Sequence, residues 1–269
     1  MTDGSSLEVG VFGIGLLGPG LPTWAEGQAL LRDPSSWQCT PTVVPPPLRL
    51  APTERRRAGT AIKAAIVVAD EACAMAGLDP GTLATVFTSS TGDPANCHAM
   101  CEALALPERM VSPTRFTNSV HNAAAGYWHI ATRSQRPSTS LCALDASFAA
   151  GLLEAGSQCL ATNSPVLLVA CDLPYPEPLN AVRTVSDVFA VAFVLGPPVA
   201  ASSPRLSFAA VPETASSTCN DVPLDDVRRT IPAARALPLL QALACGQQAV
   251  LLLEALAGMS LHLRVSPAA

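Results

Sequence analysis

The sequence predicts an α/β protein with a mainly parallel, mixed sheet covered by helices. Two observations point there. Short apolar runs bounded by turn residues alternate with Ala-rich stretches of helical spacing, the pattern of βαβ units. No internal repeat or low-complexity linker divides the 269 residues, so residues 1–269 read as a single domain able to bury a sizeable core.

Residues 7–14 read as the first strand, followed by a helix at 23–32 with Trp24 and Leu30–Leu31 on its apolar face. The stretch 39–52 contains Pro41, Pro45, Pro46, Pro47 and Pro52 and must run extended. A long helix is expected from Thr53, a suitable N-cap, to Ala76, with Gly77 as its stop. Its buried side is Ala61, Ala64, Ala65, Val68, Ala72 and Met75. Arg55–Arg57 then fall in its first turn, against the dipole, and read as a solvated patch. A strand at 84–90, a helix at 93–105, a helix over Asn118–Arg133 and a strand at 138–144 follow. Next come a helix at 146–161 and strands at 165–171 and 188–195. The end of the chain reads as a strand near 206–211, a helix from Ala233 to Ala257 and a strand at 260–265.

Composition narrows the function classes. Hydrophobic residues make up 49% and charged residues 14%, which favours a permanent partner, although an Ala- and Pro-rich coding bias gives the same figures. The net charge of −5 argues against nucleic acid or an anionic membrane as main ligand. Met1-Thr-Asp-Gly-Ser-Ser6 lacks the basic start and apolar run of a signal peptide, and no apolar run is long enough to span a bilayer. Nine scattered cysteines suit a reduced cytoplasmic protein.

Two motifs read as structural. Cys97-His98-Ala-Met-Cys101 lacks the second knuckle of a zinc site, and Cys97 and Cys101 share a helical face as core or interface residues. The glycines at 13, 15, 18 and 20 do not have dinucleotide-binding spacing and read as backbone turns after the first strand. No metal or cofactor is expected.

Residues Pro137-Ser-Thr-Ser-Leu-Cys-Ala-Leu-Asp145 lead through a short strand and a sharp turn into the Ala-rich helix ending near Glu154. Upstream stands Phe116-Thr-Asn118-Ser-Val-His121-Asn122-Ala-Ala-Ala-Gly126; downstream stand Ser164–Asp172 and Ser186–Gly196, with Val9–Gly20 at the start. In order and spacing these segments resemble the N-terminal half of the β-ketoacyl synthases of the thiolase-like superfamily. The resemblance covers residues 7–196 and implies a five-stranded-type sheet, with 197–269 as a short, truncated β-α-β addition.

In that family the reactive cysteine lies eight residues after the proline, and here that position is Asp145. The resemblance therefore implies a synthase-shaped chain without the synthase's nucleophile. The family's second half, with two histidines and a lysine, has no counterpart in 197–269, where His262 is the one histidine and lacks the family context. Read alone, Asp145 is a good helix N-cap. Cys142, expected mid-strand, has neither a helix N-terminus nor a cation to ionise it. A triad of Ser147, His121 and Asp145 lacks a Gly-x-Ser-x-Gly elbow.

The resemblance implies a non-catalytic subunit like the chain length factors of type II polyketide and aryl polyene systems. Such a chain pairs with an active ketosynthase, meets an acyl carrier protein through the complex, and limits product length by steric closure of the acyl tunnel. Arg55–Arg57 would be available to that acidic carrier. By the same resemblance Met100, Leu104 and Phe116 are the tunnel and chain-length candidates, against ordinary core packing. Asn118, Leu141, Cys142 and Asp145 belong to the elbow and interface. An independent thioester enzyme using Cys142 or Ser147, and a carrier-protein scaffold, are the other readings left open.

Overall fold

A computed structural model of the chain describes residues 7–198 and 203–268; the Met1–Ser6 start lies outside them. Its strands are β1 (Leu7–Leu17), β2 (Ala84–Thr88), β3 (Ser138–Leu141), β4 (Val166–Asp172), β5 (Phe189–Gly196), β6 (Arg205–Pro212), β7 (Ala249–Glu254) and β8 (Met259–Ser266). Its helices are α1 (Trp24–Arg32), α2 (Pro52–Arg57), α3 (Thr60–Ala76), α4 (Pro94–Ala105), α5 (Pro113–Asn118), α6 (Ala123–Thr132), α7 (Ser147–Thr162), α8 (Leu179–Val182), α9 (Val222–Thr230) and α10 (Leu237–Cys245). All the strands join one mixed sheet in the order β3-β2-β4-β5-β1-β6-β8-β7.

β2 pairs parallel with β3 and β4, while β5 runs antiparallel between β4 and β1, so β1 to β4 share one direction. Helices cover both faces. Along β4, Val166, Leu168 and Ala170 join the core under α7 and α10, and Leu167, Val169 and Cys171 join the core under α3 and α6. The α3 side is lined with small residues, including Ala190 and Ala192 of β5. Gly13 and Gly15 lie inside β1, not in a turn, and serve close packing. A Cβ on Gly15 would stand 1.9 Å from the Val68 carbonyl oxygen, and one on Gly13 2.0 Å from that of Ala72. Gly20, at φ +63°, does occupy the expected turn. Glu71 of α3 then accepts the backbone amides of Leu16 (2.9 Å) and Trp24 (2.7 Å), fixing the start of α1 against β1.

Several boundaries differ from the sequence reading, each for a local reason. The long helix is two: α2 starts with Pro52 at its first turn rather than with Thr53 as cap, and Gly59 breaks it from α3. Arg55–Arg57 therefore lie in the last turn of α2, where cations suit the dipole. The helix expected over Asn118–Arg133 begins only at Ala123, as α6, and Asn118 instead closes a separate short helix, α5. The expected helix to Ala257 stops at Cys245, because Gly246 takes a left-handed C-cap at φ +59°. The Leu-rich run after it is the edge strand β7. Residues beyond Gly196 thus contribute three strands to the same sheet. The Pro-rich stretch contains no regular element over 39–47 and is pinned where Thr42 donates to Val188 O and Asp187.

A Gly15→Ala substitution drives a methyl group into the α3 backbone and should cost about 3 kcal/mol in urea unfolding. Gly126→Ala, where nothing lies within 4 Å of the added Cβ, should be neutral or mildly stabilising. Equal midpoints for the two variants would show that the α3–β1 approach is not constrained by its glycines.

Candidate functional site

β3 ends at Leu141, so Cys142 lies just past the strand and is exposed, not embedded in it. The chain then turns sharply: Leu144 takes φ +51°, an unusual conformation for a branched residue, and a single 3-10 turn over Leu144–Ala146 leads into α7. Asp145 sits in that turn. It does not cap α7, since no side-chain cap bond is made at either helix start. Ser147 does the local work instead: its hydroxyl donates to Leu144 O (2.6 Å) and accepts the Ala143 amide (3.0 Å).

Asp145 is held by cations. Arg183 Nη2 donates to Asp145 Oδ1 at 2.6 Å and to Ser90 Oγ at 2.9 Å. Arg235 Nη2 lies 3.3 Å from Asp145 Oδ2, and its Nη1 pairs with Glu254 of β7. Sequence reasoning named neither arginine, and no local pattern marks them.

Beside the elbow, β2 ends in the loop Ser89–Gly92, which wraps the buried carboxylate of Asp172. Its Oδ1 accepts the amides of Ser90 (2.7 Å) and Thr91 (3.0 Å) and the Ser89 hydroxyl (3.1 Å), while Oδ2 has no partner among the described residues. Burial pushes the Asp172 pKa up to about 6, against the lowering by those amides and hydroxyls.

The loop forms one wall of a cavity of about 240 Å³. Ile62 and Ala65 of α3, Phe87, Val169 and Ala124 form its apolar wall, and Asn118, His121 and Cys97 line it as well. Asn118 is buried at the end of α5; its Nδ2 donates to Arg57 O (2.9 Å) and its Oδ1 accepts the Tyr127 hydroxyl (3.1 Å). It thereby ties α2, α5 and α6 together around the cavity.

The structure places the other candidates as follows. Leu104 and Phe116 are exposed, Phe116 at 66%, so neither is a core residue. Met100 is half-buried, one turn along α4 from Cys97. Cys97 and Cys101 are exposed on α4 rather than in the core. Leu106, Met110, Val120, Ile130 and Leu144 are exposed as well, a distinction from core that the sequence could not make. Ser147 is buried and its hydroxyl committed to the turn; His121 lines the cavity, and the two make no hydrogen bond. The Cys142 thiol lies 3.9 Å from the Ser90 carbonyl oxygen. Among the described residues no group of three or more His, Cys, Asp or Glu is poised to hold a metal, and no helix is long and apolar enough to cross a membrane.

The family of the β-ketoacyl synthase N-terminal domain matches residues 24–255, and the chain belongs to that family. No curated protein sequence matches it. Among solved structures, a chain of the ketosynthase (ApeO) in complex with its chain length factor (ApeC) from Xenorhabdus doucetiae is 22% identical, with TM-score 0.74 over 96% of this chain and 99% of that one. A chain of the ishigamide ketosynthase/chain length factor is 14% identical, TM-score 0.72, over 98% and 100%. A chain of the AntDE:AntF complex, a type II polyketide acyl carrier protein with its ketosynthase, is 11% identical, TM-score 0.73, over 98% and 100%. The fold is that of the ketosynthases.

The raised pKa of Asp172 fixes a sign for stability. Its ordinary value is 3.8, so between about pH 4 and 6 the folded chain keeps a proton that the unfolded chain has lost. The stability this group contributes is full below pH 4 and is lost as pH rises through 6. Asp172→Asn should remove on the order of 3 kcal/mol of that pH dependence. Urea midpoints of both proteins from pH 4 to 7 test it; parallel profiles would refute it.

Proposed function

We propose that this chain is a non-catalytic, chain-length-factor-like subunit that heterodimerises with an active β-ketoacyl synthase and shapes its acyl tunnel in type II polyketide synthesis of the aryl polyene kind. The observation that carries the reading is Asp145. The resemblance assigns that position to the acyl-accepting cysteine, and a carboxylate engaged by Arg183 and Arg235 is no substitute for a thiolate.

The exposed face supports the partnership. Phe116, Leu104, Met110, Ile130 and Leu144 leave apolar side chains in water, and among the described residues β3 is the last strand of the sheet, its outer edge unpaired. Complexes of a ketosynthase with a chain length factor are among the structures of the same fold. The cavity walled by Ile62, Phe87 and Ala124 is a place where the far end of an acyl chain can stop. Met100, Leu104 and Phe116 then border the path into it from the partner, and the acyl carrier protein reaches the chain through the complex.

Co-expression with a ketosynthase should yield a stable pair, and Phe116→Asp should abolish it by burying an unpaired charge. Light scattering that finds the wild-type chain as a soluble monomer, indifferent to ketosynthase at micromolar concentration, would count against the pairing. Within the pair, Ala124→Phe should shorten the product distribution, and Phe116→Ala or Met100→Ala should lengthen it, through preferences of about 1–3 kcal/mol. Mass spectrometry of reconstituted products reads both; an unchanged distribution at normal yield removes the tunnel role from these residues.

A further inference from the structure

Arg183 and Arg235 reach the elbow from different parts of the chain, one just after α8 and one from the 3-10 turn Pro232–Ala236. Each binds one oxygen of Asp145, at 2.6 Å and 3.3 Å. Arg235 is largely buried, and its Nε has no partner among the described residues. With Glu254 as its other ion pair, two guanidinium groups face two carboxylates. Burial lowers the pKa of Arg235 and the Asp145 carboxylate works in the opposite direction. Removing Asp145 would leave a buried cation undercompensated, which is more damaging than losing a helix cap. Planar guanidinium groups bind any carboxylate by the same geometry.

We infer that the elbow is a carboxylate-binding site whose ligand is built in as Asp145, and that this ligand clasps the C-terminal segment to the elbow. The site stands apart from partnership with a synthase. It predicts that a small free carboxylate can replace the missing side chain.

The experiment uses the full chain, wild type against Asp145→Ala. The variant should unfold about 5 °C lower, and amide exchange should quicken in residues 232–236 and 249–254. About 100 mM sodium formate, compared with sodium chloride at equal ionic strength, should recover at least half of that loss and restore the protection. Wild type should not respond, and Asp145→Ala combined with Arg235→Met should not respond either. Should Asp145→Ala not fold, Asp145→Asn serves: it keeps the shape without the charge and should unfold below wild type. An Ala variant as stable as wild type overturns the inference, as does formate acting no better than chloride or an Asn variant indistinguishable from wild type.

Discussion

Helix α3 lies unusually close to the sheet, and much of the molecule depends on that approach. Backbone meets backbone at Gly13 with Ala72 and at Gly15 with Val68, because neither glycine has a side chain to hold the layers apart. Ala190 and Ala192 on the neighbouring strand keep the floor flat beneath the same helix. The approach sets the height of every residue on α3. Glu71 can then reach the first amides of α1, and Ile62 and Ala65 form a cavity wall instead of filling the space. A bulkier floor would lift the helix and move all of these together.

The elbow rests on a different kind of force. Its turn is made by Ser147, which satisfies the Ala143 amide and the Leu144 carbonyl within the turn itself. Asp145 is thereby released from capping and free to take long-range partners. Arg183 also binds Ser90, whose amide binds Asp172, so one polar chain runs from the cavity wall through the elbow to β7. Apolar packing joins the layers of the sheet, while charge joins the elbow to the loop on one side and the C-terminal strands on the other.

What the sequence made legible follows the same division. β4 and β5 were readable because their apolar runs are bounded by turn residues, and α3 ended at Gly77 as its left-handed cap requires. The C-terminal helix was overextended because Ala249–Glu254 is apolar enough to continue a helix, although Gly246 signalled its end. Spacing from Pro137 located Asp145, yet its role could not be read locally. Arg183 stands 38 residues away, and no periodicity couples such positions. Phe116 and Leu104 show the limit of hydrophobic patterning, since an apolar residue looks alike whether it meets the chain's own core or a face left open to solvent.

The carboxylate at the elbow and the apolar face bear on one another. A nucleophile needs an approach kept open to substrate, which is hard to combine with two arginines closing on the same side chain. Once the position holds Asp145, those arginines become structural, and Arg235 carries the strand β7 with it through Glu254. Local charge then balances within the chain, without a partner's help. Leu104, Phe116 and Ile130, on α4, α5 and α6, are the reverse: among the described residues they stay exposed, and water is a poor surrounding for them. The elbow finds its ionic partners within the chain while the exposed apolar side chains lie in water, which is the division of labour that the proposed pairing with a ketosynthase calls for.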